Sequence, residues 1–78
     1  MITPISLKDM TEAEFYMTRT IRESRLKLKE WIETKDGRIF EVTGEGETFY
    51  TGREVLYMLD TPKLYYGNLE TIDKGEVI

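Results

Sequence analysis

Residues 31–72, WIETKDGRIFEVTGEGETFYTGREVLYMLDTPKLYYGNLETI, form short β-branched and aromatic runs cut at close intervals by turn residues. That pattern predicts a very small antiparallel β-barrel or curled sheet. Trp31 opens the first strand. Lys35-Asp36-Gly37-Arg38 turns it back, Asp-Gly being a strong hairpin signal. Ile39–Thr43 is the next strand, followed by an acidic loop at Gly44-Glu45-Gly46-Glu47. Thr48–Thr51 continues the edge of the sheet. Arg53–Leu59 is apolar on both faces, as suits a central strand covered on one side. Asp60-Thr61-Pro62-Lys63 makes another turn. Leu64–Tyr66 is a further strand, Gly67-Asn68 a bend, and Leu69–Ile72 a single 3₁₀ turn. The apolar tail Val77-Ile78 is suited to pairing with an edge strand.

Upstream, the pattern changes. Residues 1–10 contain Pro4 and show no periodicity, which predicts an irregular arm. Thr11 stands three residues before Glu14, a capping box, and Met10 and Phe15 flank it as a hydrophobic staple. Ala13, Met17, Ile21, Ser24 and Leu28 then step by three or four along one helical stripe. The helix is placed over residues 11–29, its end falling between residues 25 and 30 because no Gly or Pro marks it. The whole is an α+β single domain over 1–78: arm 1–10, helix 11–29 packed on a small barrel over 30–78.

The order of the pieces resembles the SH3-like small barrels of KOW-type and similar bacterial or phage modules. The residues that carry the resemblance are Trp31-Ile32-Glu33-Thr34, then Lys35-Asp36-Gly37-Arg38-Ile39 and the strand through Val42. Val55–Leu59, Leu64–Tyr66 and the Asn68-Leu69-Glu70 turn into a closing strand complete it, over residues 30–78. Two features depart from the pattern: the Gly44–Thr51 insertion and the N-terminal helix. The resemblance implies a scaffold, with nucleic-acid binding among the functions such modules carry, and a fold alone does not fix function.

Composition narrows the chemistry. The 78 residues contain no His and no Cys. Imidazole bases, Ser-His pairs, thiolate nucleophiles, disulfides and the usual zinc ligand sets are therefore absent. Carboxylates, Tyr, Lys and Arg remain, but a chain this short rarely builds a dry pocket that tunes them. The expectation is a protein that is not an enzyme and uses no cofactor. No signal-like segment or spanning apolar run appears in the sequence, so a cytoplasmic protein without membrane contact is expected. Charge is uneven: residues 1–35 hold seven Lys/Arg against six Asp/Glu, and residues 36–78 hold four against nine.

Three groups are candidate sites. Arg19, Arg22, Arg25, Lys27 and Lys29 form a basic run that would meet phosphates if one helix face gathered them. Glu12, Glu14, Glu23, Glu30 and Glu33 dilute its field, and a solvated helix face is the plainer reading. Glu45 and Glu47, with Glu41 and Glu54, make an acidic patch around the Gly44–Glu47 loop. Its spacing matches no calcium loop. A soluble loop is the plainest account, phosphate mimicry the second and a metal site the last. The tyrosines and Trp31 supply a stacking platform or a core; Tyr50 and Tyr65 are placed at the surface, the remaining rings inside. The leading expectation is a non-catalytic protein-binding module that regulates or inhibits a partner with a basic surface, in a phage or mobile-element setting. Glu45, Glu47, Tyr50 and Tyr65 carry it. The alternative is a nucleic-acid-binding accessory protein using Arg19, Arg22, Arg25 and Lys29. No metal is expected, and a homodimer through the helix stripe stays open.

Overall fold

The computed structural model describes residues 4–58 and 63–78, with the side chains of residues 12–15 and 17 outside the description. One helix, α1 (Glu12–Lys27), accompanies an antiparallel sheet of β1 (Ile5–Ser6), β2 (Trp31–Glu33), β3 (Ile39–Glu45), β4 (Phe49–Met58) and β5 (Lys63–Asp73). The class is α+β. β2, β3, β4 and β5 follow one another as a meander, and β1 pairs with the far half of β4. A 3₁₀ turn at Lys74–Glu76 sends the tail back across the sheet, where Val77 bridges Thr34 just past β2. Lys35 N–H donates to Glu76 O and Ile78 N–H to Glu33 O. The tail thus pairs as expected, and the sheet is curled.

The hairpin predicted at Asp36-Gly37 forms. Gly37 takes φ +89°, and Thr34 N–H and Gly37 N–H donate to Arg38 O and Thr34 O, each at 2.9 Å. A three-residue loop with a left-handed Gly is a favoured hairpin connection.

Elsewhere the strands are longer than the turn residues suggest. Gly44–Glu47 is no long excursion: β3 runs to Glu45, and Gly46 N–H closes a tight turn onto Phe49 O at 2.8 Å. Thr48–Thr51 and Arg53–Leu59 are not separate segments, because β4 passes unbroken through Gly52. A Cβ there would lie 2.4 Å from the Glu41 carbonyl oxygen, so Gly52 marks close approach to β3. Gly67-Asn68 does not end β5 either. Both residues lie opposite Glu54 alone, in a bulge between the Arg53–Leu69 and Val55–Tyr66 pairs. The expected 3₁₀ turn at Leu69–Ile72 is therefore strand, and the turn falls at Lys74–Glu76.

Alternation along the strands sends neighbouring side chains to opposite faces, and each face carries an apolar cluster. Trp31, Ile39, Val55, Tyr57 and Leu7 form one, with Ile5, Met10, Leu26 and Leu64 against it. Ile32, Phe40 and Ile72 form the other, within the curl, with Val42, Tyr50 and Val77. The arm is not irregular throughout. Ile5–Ser6 adds to β4 and a 3₁₀ turn at Leu7–Asp9 buries Leu7 under the first cluster.

The predicted apolar stripe of the helix points outward where it is described: Ile21 is 45% exposed and Leu28 66%. Its other apolar members, Ala13 and Met17, lie outside the described side chains, as do Glu14 of the capping box and Phe15 of the staple. Asp60-Thr61-Pro62 and Leu59 also lie outside the described residues. Among the described side chains, the inward ones are instead Thr18, Arg22 and Leu26. Thr18 donates to Met10 Sδ at 3.9 Å and the Arg22 guanidinium reaches the same sulfur at 3.7 Å. Burial draws the Arg22 guanidinium down from its ordinary value, partly offset by Glu33.

The helix ends in a reversal that needs a left-handed residue. Glu30 N–H donates to Arg25 O at 3.0 Å and Lys29 N–H to Leu26 O at 3.1 Å, with Lys29 at φ 60°. This is the Schellman pattern, usually built on Gly. Lys29→Gly is expected to stabilise the fold by roughly 0.5–1 kcal/mol, since it relieves the left-handed cost to a side chain but adds freedom to the unfolded chain. Urea unfolding midpoints check this; an unchanged or lowered midpoint contradicts it.

Candidate functional site

The curl leaves a groove between the β2–β3 turn and the last residues of β5. Its volume is about 350 Å³, and Thr34, Asp36, Arg38 and Phe40 face Glu70–Asp73 and Glu76 across it. Four acidic residues from three parts of the chain line it: Asp36 from the hairpin turn, Glu70 and Asp73 from β5, Glu76 from the 3₁₀ turn. Arg38 answers them from within the groove, and the charge of Lys8 reaches Asp36 from beside the hairpin turn. Arg38 Nη2 donates to Glu54 Oε1 at 2.9 Å and to Glu70 Oε2 at 3.0 Å, and its guanidinium lies 4.7 Å from the centre of the Phe40 ring. Ser6 Oγ donates to the other Glu54 oxygen at 2.7 Å, which ties the arm to the network. The Glu54 hydrogen bond, then the charges of Glu54, Glu70 and Asp36, hold the Arg38 guanidinium above its ordinary value despite burial. Arg38 is thus occupied by Glu54 and Glu70, and the groove remains net negative.

Asp36 is the exposed end of the set. Its carboxylate accepts from the Thr34 hydroxyl and from Arg38 N–H, and chiefly the Thr34 bond holds its pKa below the usual carboxylate value. A depressed folded pKa means stability that is present above the unfolded value and lost as pH falls through the folded one. Thr34→Val is expected to move the Asp36 titration up toward the ordinary carboxylate range. A carbon-detected NMR titration of the side-chain carboxyl checks it; an unmoved midpoint contradicts it. Among the described residues, no three acidic side chains are grouped as a metal ion would require.

The residues predicted from sequence fall in several places. Glu45 lies at the end of β3, its carboxylate 2.6 Å from Lys74 Nζ, and the same ammonium sits 5.1 Å from the Tyr50 ring centre. Tyr50 is half-buried against the inner cluster, not a surface ring. Its partner in β5 is the core residue Ile72, which turns the ring to the inner face. Glu47 is exposed in the β3–β4 turn. Tyr65 is exposed, with Lys63 Nζ 5.3 Å from its ring centre. It pairs with Leu56 whereas Tyr50 pairs with Ile72, so six residues of β4, about 20 Å, separate them. Tyr66 and Phe49 are exposed as well.

A second cleft, of about 380 Å³, brings Glu45 and Tyr50 together with Lys29 of the alternative set, over Leu26, Ile32, Val42, Val77 and Ile78. The arginines do not join it. Arg19 pairs with Glu23 at 3.0 Å, Arg22 is turned onto Met10, and Arg25 lies 3.5 Å from Glu30 and 5.8 Å from the Trp31 ring centre. No single exposed basic face results from them.

Sequence reasoning missed Asp36, Glu70, Asp73 and Glu76 as a group. The signal available was the excess of nine acids over four bases after residue 35. Its location depends on where β5 ends and the chain turns. Compared with known proteins, the chain matches no family model, no curated protein and no solved structure. Among the described residues, no helix is long and apolar enough to cross a membrane.

Proposed function

We propose that the chain is a non-catalytic binding module that receives a positively charged protein surface on its acidic β face and regulates or inhibits that partner. The observation that carries this reading is the groove lined by Asp36, Glu70, Asp73 and Glu76, in which Arg38 is held by Glu54 and Glu70. Such a field steers cationic partners and speeds their encounter. Glu45 and Glu47 extend it, because Lys74 N–H donates to Thr48 O at 3.0 Å and brings the β3–β4 turn beside the end of β5. The meander, the 3₁₀ turn and the Val77–Thr34 bridge support the SH3-like reading of the scaffold. Nucleic-acid contact through Arg19, Arg22, Arg25 and Lys29 is less supported, since the three arginines are committed to contacts within the chain.

Affinity capture from the native lysate, run in parallel with wild type and an Asp36→Lys/Asp73→Lys variant, tests the proposal. Wild type should retain a basic protein that the variant loses. Retention should also fade toward about 1 M salt, where the screening length is ~3 Å. Equal retention by both chains at every salt concentration overturns it.

A further inference from the structure

β5 pairs with β4 along one edge, and among the described residues its other edge has no ladder partner. An open edge offers every second N–H and C=O to an incoming strand. The two halves of this edge differ. From Lys63 to Asn68 it carries the usual protections: a lysine, and a bulge at Gly67-Asn68 that disturbs the ladder. From Glu70 to Asp73 there is no lysine, proline or bulge, and this half lines the acidic groove.

We propose that the Glu70–Asp73 edge takes up one extended, lysine- or arginine-rich segment of a partner chain as an added strand. This rests on the protein-binding reading above and names the form of the ligand. The accessible edge is about 13 Å long at 3.3 Å per residue, and about 350 Å³ is at the small end of ligand pockets, so the added strand is short. Charge selects the occupant. Side chains alternate, so Glu70 serves one face of the added strand and Asp73 the other, with Asp36 and Glu76 across the groove. A basic segment complements Asp36, Asp73 and Glu76, the groove carboxylates that Arg38 does not hold. A second copy of this chain would bring the same carboxylates edge to edge and be repelled. Main-chain hydrogen bonds supply binding, and the carboxylates supply selection.

The test is an NMR titration of the ¹⁵N-labelled full chain with a capped peptide of alternating lysine and valine. Two control peptides are its glutamate–valine counterpart and a lysine–valine version N-methylated along one edge. Expected are amide shifts at Glu70–Asp73 with the lysine peptide and none with the glutamate peptide. Affinity should weaken by roughly tenfold or more on N-methylation. Asp73→Asn/Glu76→Gln, in which Asn keeps the cap on Gly75 N–H, should weaken binding severalfold with the rest of the spectrum intact. No shift at millimolar peptide, shifts centred elsewhere, or equal binding of the N-methylated peptide overturns strand addition. Salt-sensitive capture of a basic protein by the acidic face would then still stand, so the two readings fail separately.

Discussion

Replacing Trp31 by alanine is expected to remove a large share of the chain's stability. Trp31 is 1% exposed at the centre of the first cluster, joined there by Leu7, Ile39, Val55 and Tyr57 from three other segments. A buried Trp→Ala change costs about 3–5 kcal/mol. A domain of this length holds only about 4–12 kcal/mol in total. The loss is therefore a large share of the whole, and the helix loses its anchor too, because Leu26 and the Arg25 guanidinium rest against this residue and its cluster. Trp31→Phe should cost much less. The indole N–H meets no acceptor among the described residues, so its removal breaks no hydrogen bond there. Circular dichroism during urea unfolding reads both variants; a Trp31→Ala midpoint equal to wild type contradicts this account of the core.

Arg38→Met should cost about 2–3 kcal/mol, and Glu54→Gln in the same chain should restore part of it. The Glu54 side chain is only 13% exposed, and without Arg38 its carboxylate keeps, among the described residues, the Ser6 hydroxyl. Removing one member of a buried ion pair costs 3–5 kcal/mol because the other charge is stranded; the partial exposure of Arg38 lowers the figure here. Methionine retains much of the packing over Phe40, so the loss reports charge more than volume. A double-mutant cycle on unfolding free energies checks the coupling. Strict additivity of the two substitutions would show that Arg38 and Glu54 do not act as a pair.

The contrast between what could and could not be read in the chain has physical causes. Asp36-Gly37 and the Val77 tail were legible because a left-handed turn position and an apolar end have local signatures. Gly52 and Gly67-Asn68 read as breaks, yet they lie inside β4 and β5: one lets two backbones approach, the other forms a bulge. Local sequence does not distinguish those uses of glycine from a turn. The helix face misled for a different reason. Among the described side chains its docking surface is Thr18, Arg22 and Leu26, whereas the apolar spacing selects the side of Ile21 and Leu28. The acidic groove was legible only as a sum of charge, since residues 36, 70, 73 and 76 meet through the uninterrupted β5 and the turn after it.

We propose that a partner meets the acidic groove and not the helix. Chemical-shift mapping on the ¹⁵N-labelled chain, with the protein captured from lysate as titrant, tests it most directly. The account predicts that the perturbed amides cluster at Asp36, Glu70, Asp73 and Glu76 and extend toward Glu45 and Glu47. Perturbations gathered on Arg19, Arg22, Arg25 and Lys29, with the groove silent, would contradict it.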